Sequence, residues 1–591
     1  METREKLQHL RDCMTKNGVD AWLVMSVDPH QSEYVAPHWQ SRAWLSGFNG
    51  SAGTLVVTRE KAGLWTDSRY HIRAAQELEG SGIELFKAGL PGVITYNQWL
   101  KQELNKGAVV GFDGSLLSLS TVEKMEKALD GSGITLKACG DLVGRIWTNR
   151  PALPTEPVFL LSEQFTGESR PSKFARIREK MAEEGVNAHL VPTLDDIAWA
   201  LNIRGGDVTF NPVAISYLLI LADDVRWFID PAKVPQEVQA ALEADGVSLF
   251  GYEEINTHLS GLTENTAILI DPAKTNCMLR EAIPQGCEVK HGQGLVTTMK
   301  AIKNETELAG MRQAHLRDGA AVVRWMHWLD QVDFNEVHTE ITLADRLTTF
   351  RADGEYFQGL SFGNISAYKT NAAIGHYSPQ PETTPRVHAE GLLLADTGGQ
   401  YLDGTTDITR VVSLGAPTDE EKLVFTTVLK SLIRLSRAHF PKGTQGCMLD
   451  AIAREPLYQQ GWQCRHGIGH GVGHFLNVHE GPQGFSPLRA AGFSPGSVTT
   501  IEPGVYFEGK FGVRIENMVI TIPAETTEFG EFCAFETITF CPIDLDLVNV
   551  SLLNEEERTW LNDYHQETYA KLSPLLNKEE RAWLQHETRA I

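Results

Sequence analysis

The sequence predicts an α/β (α+β) protein: two similar α/β domains in tandem, followed by a larger unit built around strand hairpins. Three observations predict it. A helix-then-strand pattern near the start recurs about 170 residues later. Three prolines fall in the seven residues Pro151 to Pro157, which opposes regular structure and marks a join. A capped helix starts again after Met299 to Lys303, and the remainder of the chain follows it. With 591 residues, the length alone asks for two to four domains.

The first domain, residues 1–152, opens with Arg4-Glu5-Lys6-Leu7 on a helical pattern. It continues to Gly18-Val19-Asp20-Ala21-Trp22-Leu23-Val24, a glycine stop followed by a short apolar strand. The second, residues 153–300, repeats this from Phe174-Ala175-Arg176-Ile177 to Gly185-Val186-Asn187-Ala188-His189-Leu190-Val191. Trp44-Leu45-Ser46-Gly47 answers to Trp199-Ala200-Leu201-Asn202. Leu64-Trp65-Thr66-Asp67 answers to Arg226-Trp227-Phe228-Ile229-Asp230. Three pieces in the same order argue for duplication over coincidence. The third unit, residues 301–591, starts at Asn304, an N-cap with Glu307 at the third helical position. Leu308, Met311, Val322, Trp325 and Leu329 follow on a helical period. Its end, Asn554 to Ile591, reads as two charged helices separated near Ser573-Pro574.

Composition narrows the function. A net charge of −23 disfavours a nucleic-acid binder, which needs clustered Lys and Arg. The eight cysteines form no C-x-x-C pair and are too sparse for a disulfide framework, so a reducing compartment is the simplest context. The start reads as a charged amphipathic stretch and not a signal peptide. The longest apolar run, Ala214 to Ala222, is far below the ~20 residues of a membrane-spanning helix. A soluble cytoplasmic protein is the expectation.

The chemistry lies in the third unit. The apolar run Gly391-Leu392-Leu393-Leu394-Ala395 ends in Asp396 before a glycine turn. Asp407 opens the next run, Ile408-Thr409-Arg410-Val411-Val412. A hairpin brings the two carboxylates together, and a cation between them relieves their repulsion. The pattern recurs with Glu502, at a strand end in Thr500-Ile501-Glu502-Pro503-Gly504, and Glu516, inside the apolar strand Gly512 to Ile520. Asp403, in an Asp-Gly pair, reads as a turn residue. Between the hairpins stand His466, His470, His474 and His479, four histidines in fourteen residues. Gly467, Gly469, Gly471 and Gly473 oppose a helix there, so the zincin helix motif does not fit. They point to closely approaching backbone beside a site. Four carboxylates with an imidazole suit Mn, and also Co, Fe or Zn. Carboxylates can bridge two ions about 3.5–4 Å apart, and such a pair can bind and activate hydroxide for hydrolysis.

These stretches resemble the pita-bread metallopeptidases, the family of methionine aminopeptidase, prolidase and aminopeptidase P. The three-domain aminopeptidase P form, the Xaa-Pro aminopeptidases, is the best match over essentially the whole chain. The metal-ligand motifs correspond to Leu394-Ala395-Asp396, Thr406-Asp407, Gly469-His470-Gly471, Ile501-Glu502-Pro503-Gly504 and Arg514-Ile515-Glu516-Asn517. The leading domains contribute His30-Gln31-Ser32-Glu33-Tyr34, Gly47 to Thr54, and Leu201-Asn202-Ile203-Arg204-Gly205 with Asn211-Pro212. The resemblance implies two creatinase-like N-terminal domains and a pita-bread catalytic domain with a C-terminal helical extension. It implies two divalent ions, usually Mn²⁺ with Zn²⁺ or Co²⁺ as alternatives, held by Asp396, Asp407, His470, Glu502 and Glu516. Asp407 and Glu516 would bridge both ions. His376, His466 and His479 match the substrate-handling histidines, and Phe362 with His376 and His479 would line a proline pocket. Glu502 is the implied proton shuttle, and Arg514 would steady the carboxylates. The implied reaction is hydrolysis of the N-terminal Xaa-Pro bond of peptides by a metal-bridging hydroxide, in a homodimer. Two positions depart from the family pattern: His474 replaces a small residue such as Ser, and Gly375 replaces a larger apolar one. Two alternatives share the fold. Prolidase cleaves only Xaa-Pro dipeptides, and the three-domain length disfavours it. A non-catalytic pita-bread peptide-binding module typically loses ligands, whereas all five positions here carry metal-competent side chains.

Overall fold

In the computed structural model of this chain every residue is described except Ser68, Arg69 and His376, with the backbone alone for Ile72. The chain divides into two compact units. The first comprises Met1–Leu160 and Glu168–Val296 and contains two six-stranded sheets of the same design. In one, the strands run in the spatial order Glu84–Lys87, Ala62–Thr66, Thr54–Thr58, Ala21–Met25, Val109–Asp113, Thr135–Cys139. Ala21–Met25 pairs antiparallel with Thr54–Thr58 and parallel with Val109–Asp113. In the other the order is Val247–Phe250, Val225–Phe228, Tyr217–Leu221, Ala188–Val191, Ala267–Ile270, Glu288–His291. Ala188–Val191 has the same mixed partners. The sequence repeat therefore reflects a repeat of topology. Each copy is fed by a helix, Thr3–Lys16 or Arg170–Glu183. Each helix is followed by a glycine in the left-handed region, Gly18 at φ 65° and Gly185 at φ 64°. A side chain with a Cβ resists that conformation, which is why glycine recurs there.

His30 is buried at the junction of these two sheets. Its Nδ1 lies 2.8 Å from the Pro192 carbonyl and its Nε2 lies 3.0 Å from the Tyr252 hydroxyl. Asn276 reaches back to the Pro29 carbonyl at 3.1 Å. This histidine joins the two halves of the repeat.

The second unit comprises Leu161–Gly167 and Thr297–Ile591. Its long helix Glu305–Leu329 carries the expected capping box between Asn304 and Glu307. A three-stranded sheet is formed by Ile365–Tyr368, Leu392–Thr397 and Ile408–Ser413. A six-stranded sheet runs His439–Pro441, Gly530–Thr537, Asn517–Thr527, Val498–Ile501, Gly469–Gly471, Glu480–Phe485. The strand Leu392–Thr397 is apolar on both faces. Leu392 and Leu394 join one core cluster, with Val428 and Leu432 of the helix Asp419–Ser436. Leu393 and Ala395 join another, with Trp325 and Leu343. Each fully buried Leu or Val stabilises by about 1.5–3 kcal/mol, so the strand is pinned from both sides. Side chains alternate along a strand. Asp396 therefore shares the face of Leu394, and Asp407 and Thr409 share that of Val411. The two C-terminal helices, Glu555–Leu572 and Lys578–Glu587, pack Leu561, Tyr564, Leu572 and Leu584 on the first cluster.

Candidate metal centre

Strand register assembles the carboxylates. Leu392–Thr397 pairs antiparallel with Ile408–Ser413, with Asp396 opposite Thr409. Asp407 stands one residue before the second strand. Gly398, in the turn after Asp396, has no room for a side chain: a Cβ there would strike the Thr406 carbonyl, the Ser361 hydroxyl and the Phe362 ring. In the second pair Val498–Ile501 runs antiparallel to Asn517–Thr527, with Ile501 opposite Asn517. Glu502 and Glu516 project just beyond that last rung. The sequence reading put Glu516 inside one continuous strand. The structure instead breaks the strand at Ile515 and Glu516. The Glu516 N–H turns to the Thr409 carbonyl, 3.1 Å away, which draws Glu516 towards the Asp396 strand pair.

The histidine-rich segment folds as the short strand Gly469–Gly471. Its glycines allow backbones to meet. A Cβ on Gly469 would fall on the Thr500 carbonyl, and one on Gly471 would press on the Glu480 carbonyl. His470 N–H donates to Thr500 Oγ1 at 3.1 Å. Its Nδ1 lies 2.9 Å from the Gly471 carbonyl and must donate, which leaves the Nε2 lone pair facing the carboxylates. Nε2 is 3.5 Å from Asp407 and 3.7 Å from Glu502. Ligand atoms of Asp407, His470 and Glu516 all lie within 4.8 Å of one another. His474 is buried and does not belong to that triplet.

Arg514 braces the group. Its Nη2 donates to Asp396 Oδ2 at 2.5 Å, its Nη1 to the Tyr506 hydroxyl at 2.6 Å, and its Nε to Thr409 Oγ1 at 3.2 Å. The Thr409 hydroxyl in turn donates to Glu516 Oε2 at 2.8 Å. One cation does not balance the cluster. Burial, then Asp407, Glu502 and Asp396, push the Glu516 carboxyl well above the ordinary carboxylate range. Burial also raises Asp396, against the pull of Arg514 and with a further push from Asp407. Among the described residues, Asp396 Oδ1 is buried without a hydrogen-bond partner. Converging carboxylates, an imidazole lone pair and an orphaned acceptor are what a divalent-cation site requires, so the residues fit the metals that the sequence implies.

Of the remaining predicted residues, His479 and His466 border this centre. His479 sets its ring against His470, with centroids 4.2 Å apart at 82°. His466 Nδ1 is 3.9 Å from Glu502. Its Nδ1 also meets the Gly467 carbonyl at 2.7 Å, and its Nε2 meets the Tyr506 hydroxyl at 2.8 Å. Tyr506 accepts from Arg514 and so donates to His466, which fixes the neutral Nδ1–H tautomer. Burial lowers this imidazole's pKa to the same effect. Phe362 is buried beside Gly398. Asp403 does occupy a turn, but a buried one, paired with Arg317. His376 lies outside the described residues. Sequence reasoning missed Thr409 and Tyr506. Thr409 sits two residues after Asp407 and therefore on the same face, a signal that was present. Tyr506 acts through Arg514 of the adjacent strand, which only pairing reveals.

Comparisons with known proteins agree with this architecture. Residues 6–146 and 149–307 each match the creatinase/prolidase N-terminal domain. Residues 309–522 match metallopeptidase family M24, and 531–591 match the C-terminal region of that peptidase. A probable Xaa-Pro aminopeptidase P of Laccaria bicolor is 42% identical, covering 100% of this chain and 92% of its own. Aminopeptidase P2 of Arabidopsis thaliana is 40% identical, covering 97% and 86%. The crystal structure of X-prolyl aminopeptidase from Caenorhabditis elegans, described as a cytosolic enzyme with a di-nuclear active site, superposes with a TM-score of 0.96. It shares 37% identity and covers 100% of both chains. Two creatinase-type domains, a pita-bread domain and end-to-end relatives at these identities leave one conclusion: this chain belongs to metallopeptidase family M24.

Proposed function

We propose that this metallopeptidase removes the first residue from peptides whose second residue is proline. The observation that carries the reading is the convergence of Asp407, His470 and Glu516 within 4.8 Å, with Asp396 and Glu502 in the same charge cluster. The relatives named as Xaa-Pro aminopeptidases support the substrate class. Asp396, Asp407, His470, Glu502 and Glu516 would hold two divalent ions, Mn²⁺ in preference to Zn²⁺ or Co²⁺. When bound, the ions supply Lewis acidity and lower the pKa of water.

The protein's own groups do the rest. Glu502, half-buried beside His466 and His470, shuttles a proton to the leaving proline nitrogen. His376 and His479 steady the developing oxyanion and, with His466 and Phe362, receive the substrate. Proline lacks an N–H and has a fixed ring, so an apolar wall such as Phe362 selects it by shape. Arg514 keeps Asp396 aligned. The domains divide near residues 152 and 300. A cytoplasmic homodimer belongs to the same reading. All eight cysteines are free, no helix among the described residues is long and apolar enough to cross a membrane, and the Caenorhabditis elegans enzyme is described as cytosolic. The test compares Arg-Pro-Pro, Arg-Pro and Arg-Ala-Pro with Mn²⁺-loaded protein. Release of arginine from the first is the expected result. Cleavage of the dipeptide alone would indicate prolidase, and no cleavage would reject the reading.

A further inference from the structure

Glu340 opens the helix Glu340–Ala352 and is 0% exposed. Burial raises its pKa, and the hydrogen bonds that it accepts act against that rise. Oε1 accepts from the Tyr368 N–H at 2.7 Å and from Asn371 Nδ2 at 3.0 Å. Oε2 accepts from the Tyr377 hydroxyl at 2.6 Å and from Thr384 Oγ1 at 3.3 Å. Asn371 Nδ2 also donates to Tyr377 at 2.9 Å. A buried charge persists only where its hydrogen-bonding capacity is met, and the positive end of its own helix favours it. All four donors come from one segment, residues 368–384. They lie on both sides of His376.

That segment is tied to the metal centre at two points. It leaves the strand Ile365–Tyr368, whose first residue lies opposite Asp396. Its short helix Lys369–Ala373 rests on the strand that ends at Arg514, since a Cβ on Gly512 would strike the Ala372 carbonyl. The outer part, beyond Ala373, has Glu340 as its anchor. Only an ionised carboxylate offers acceptors to four donors at once. An amide in its place would turn an N–H₂ on a donor pair.

We infer that Glu340 is a positioning residue for peptide hydrolysis: it fixes described residues that flank, in sequence, His376, the histidine proposed above to receive the substrate. The inference rests on the Xaa-Pro reading above. It is tested with full-length, Mn²⁺-loaded Glu340→Gln and Tyr377→Phe, measuring kcat and KM for Arg-Pro-Pro, bound Mn²⁺ and Tm. Glu340→Gln should lower kcat roughly 10- to 100-fold and Tyr377→Phe about 3- to 10-fold. Glu340→Asp should recover part of the loss. Bound Mn²⁺ should match wild type, with Tm within about 3 °C. Wild-type kcat in the variants, or a loss that tracks Mn²⁺ or Tm, would overturn the inference. Should Glu340→Gln fail to fold, Tyr377→Phe alone decides, by the same criteria. An inactive wild type would instead reject the substrate reading, and this inference with it.

Discussion

Thr409 and Glu516 are joined twice. The Thr409 carbonyl accepts the Glu516 N–H at 3.1 Å, and the Thr409 hydroxyl donates to Glu516 Oε2 at 2.8 Å. This double link ties the second carboxylate pair to the first, because Thr409 is also the register partner of Asp396. It converts two separate strand pairs into one site.

Thr409→Val keeps the shape of a fully buried side chain but removes the hydroxyl. Glu516 loses a donor and Arg514 Nε loses an acceptor. Groups that orient metal ligands typically contribute 10- to 100-fold in affinity, so Mn²⁺ should bind roughly 10- to 100-fold more weakly. Thr409→Ser should remain near wild type. Competition with a fluorescent chelator measures both. Equal affinities for Val and wild type would show that the link is incidental.

Gly469→Ala places a methyl group on the Thr500 carbonyl. The strand must shift, and the His470 N–H bond to Thr500 Oγ1 goes with it. Overpacking of this kind costs about 1–3 kcal/mol. Both urea stability and Mn²⁺ stoichiometry should fall. Unchanged values would mean that the strand has slack that the packing does not suggest.

His565 reports on the C-terminal helices. It is fully buried, and its Nε2 accepts the Ile543 N–H at 3.0 Å. Burial, then Arg410 and Arg589, lower its pKa to about 3, against about 6.5 in the unfolded chain. Above pH 6.5 both states are neutral and the group is silent. As pH falls below that value the unfolded state takes up the proton first, so wild-type stability declines. His565→Gln can keep the acceptor without titrating. Between pH 7 and pH 5 its stability should gain about 2 kcal/mol relative to wild type. Parallel urea midpoints across that range would contradict the buried neutral histidine.

How much of this was legible in the sequence depended on range. Apolar alternation ending in an acid marks Asp396 and Asp407 locally, and the duplicated domains announce themselves through Gly18 and Gly185, whose backbone conformation demands glycine. The four glycines around His470 signalled backbone contact, and the Thr500 and Glu480 carbonyls are that contact. Long-range partners were not legible. The break at Ile515–Glu516 arises because Glu516 pairs with a strand over 100 residues away, and no local pattern encodes that. His30 stands in a recognisable motif, yet its partners are Pro192 and Tyr252 of the second repeat. Residues 161–167 fold with the later unit although they lie within the stretch read as the second domain. Composition there does not change, so nothing local separates them. Glu340 is not legible locally, because a lone glutamate at a helix start reads as a solvated capping residue.

The most direct test strips the protein of metal, adds back Mn²⁺ in known equivalents, and follows arginine release from Arg-Pro-Pro while counting bound ions. The account predicts no release from the stripped protein and recovery that is complete at two ions per chain. Asp407→Asn, which alters a carboxylate of the triplet with His470 and Glu516, should abolish that recovery. Full turnover by the metal-free protein, or undiminished recovery in Asp407→Asn, would contradict it.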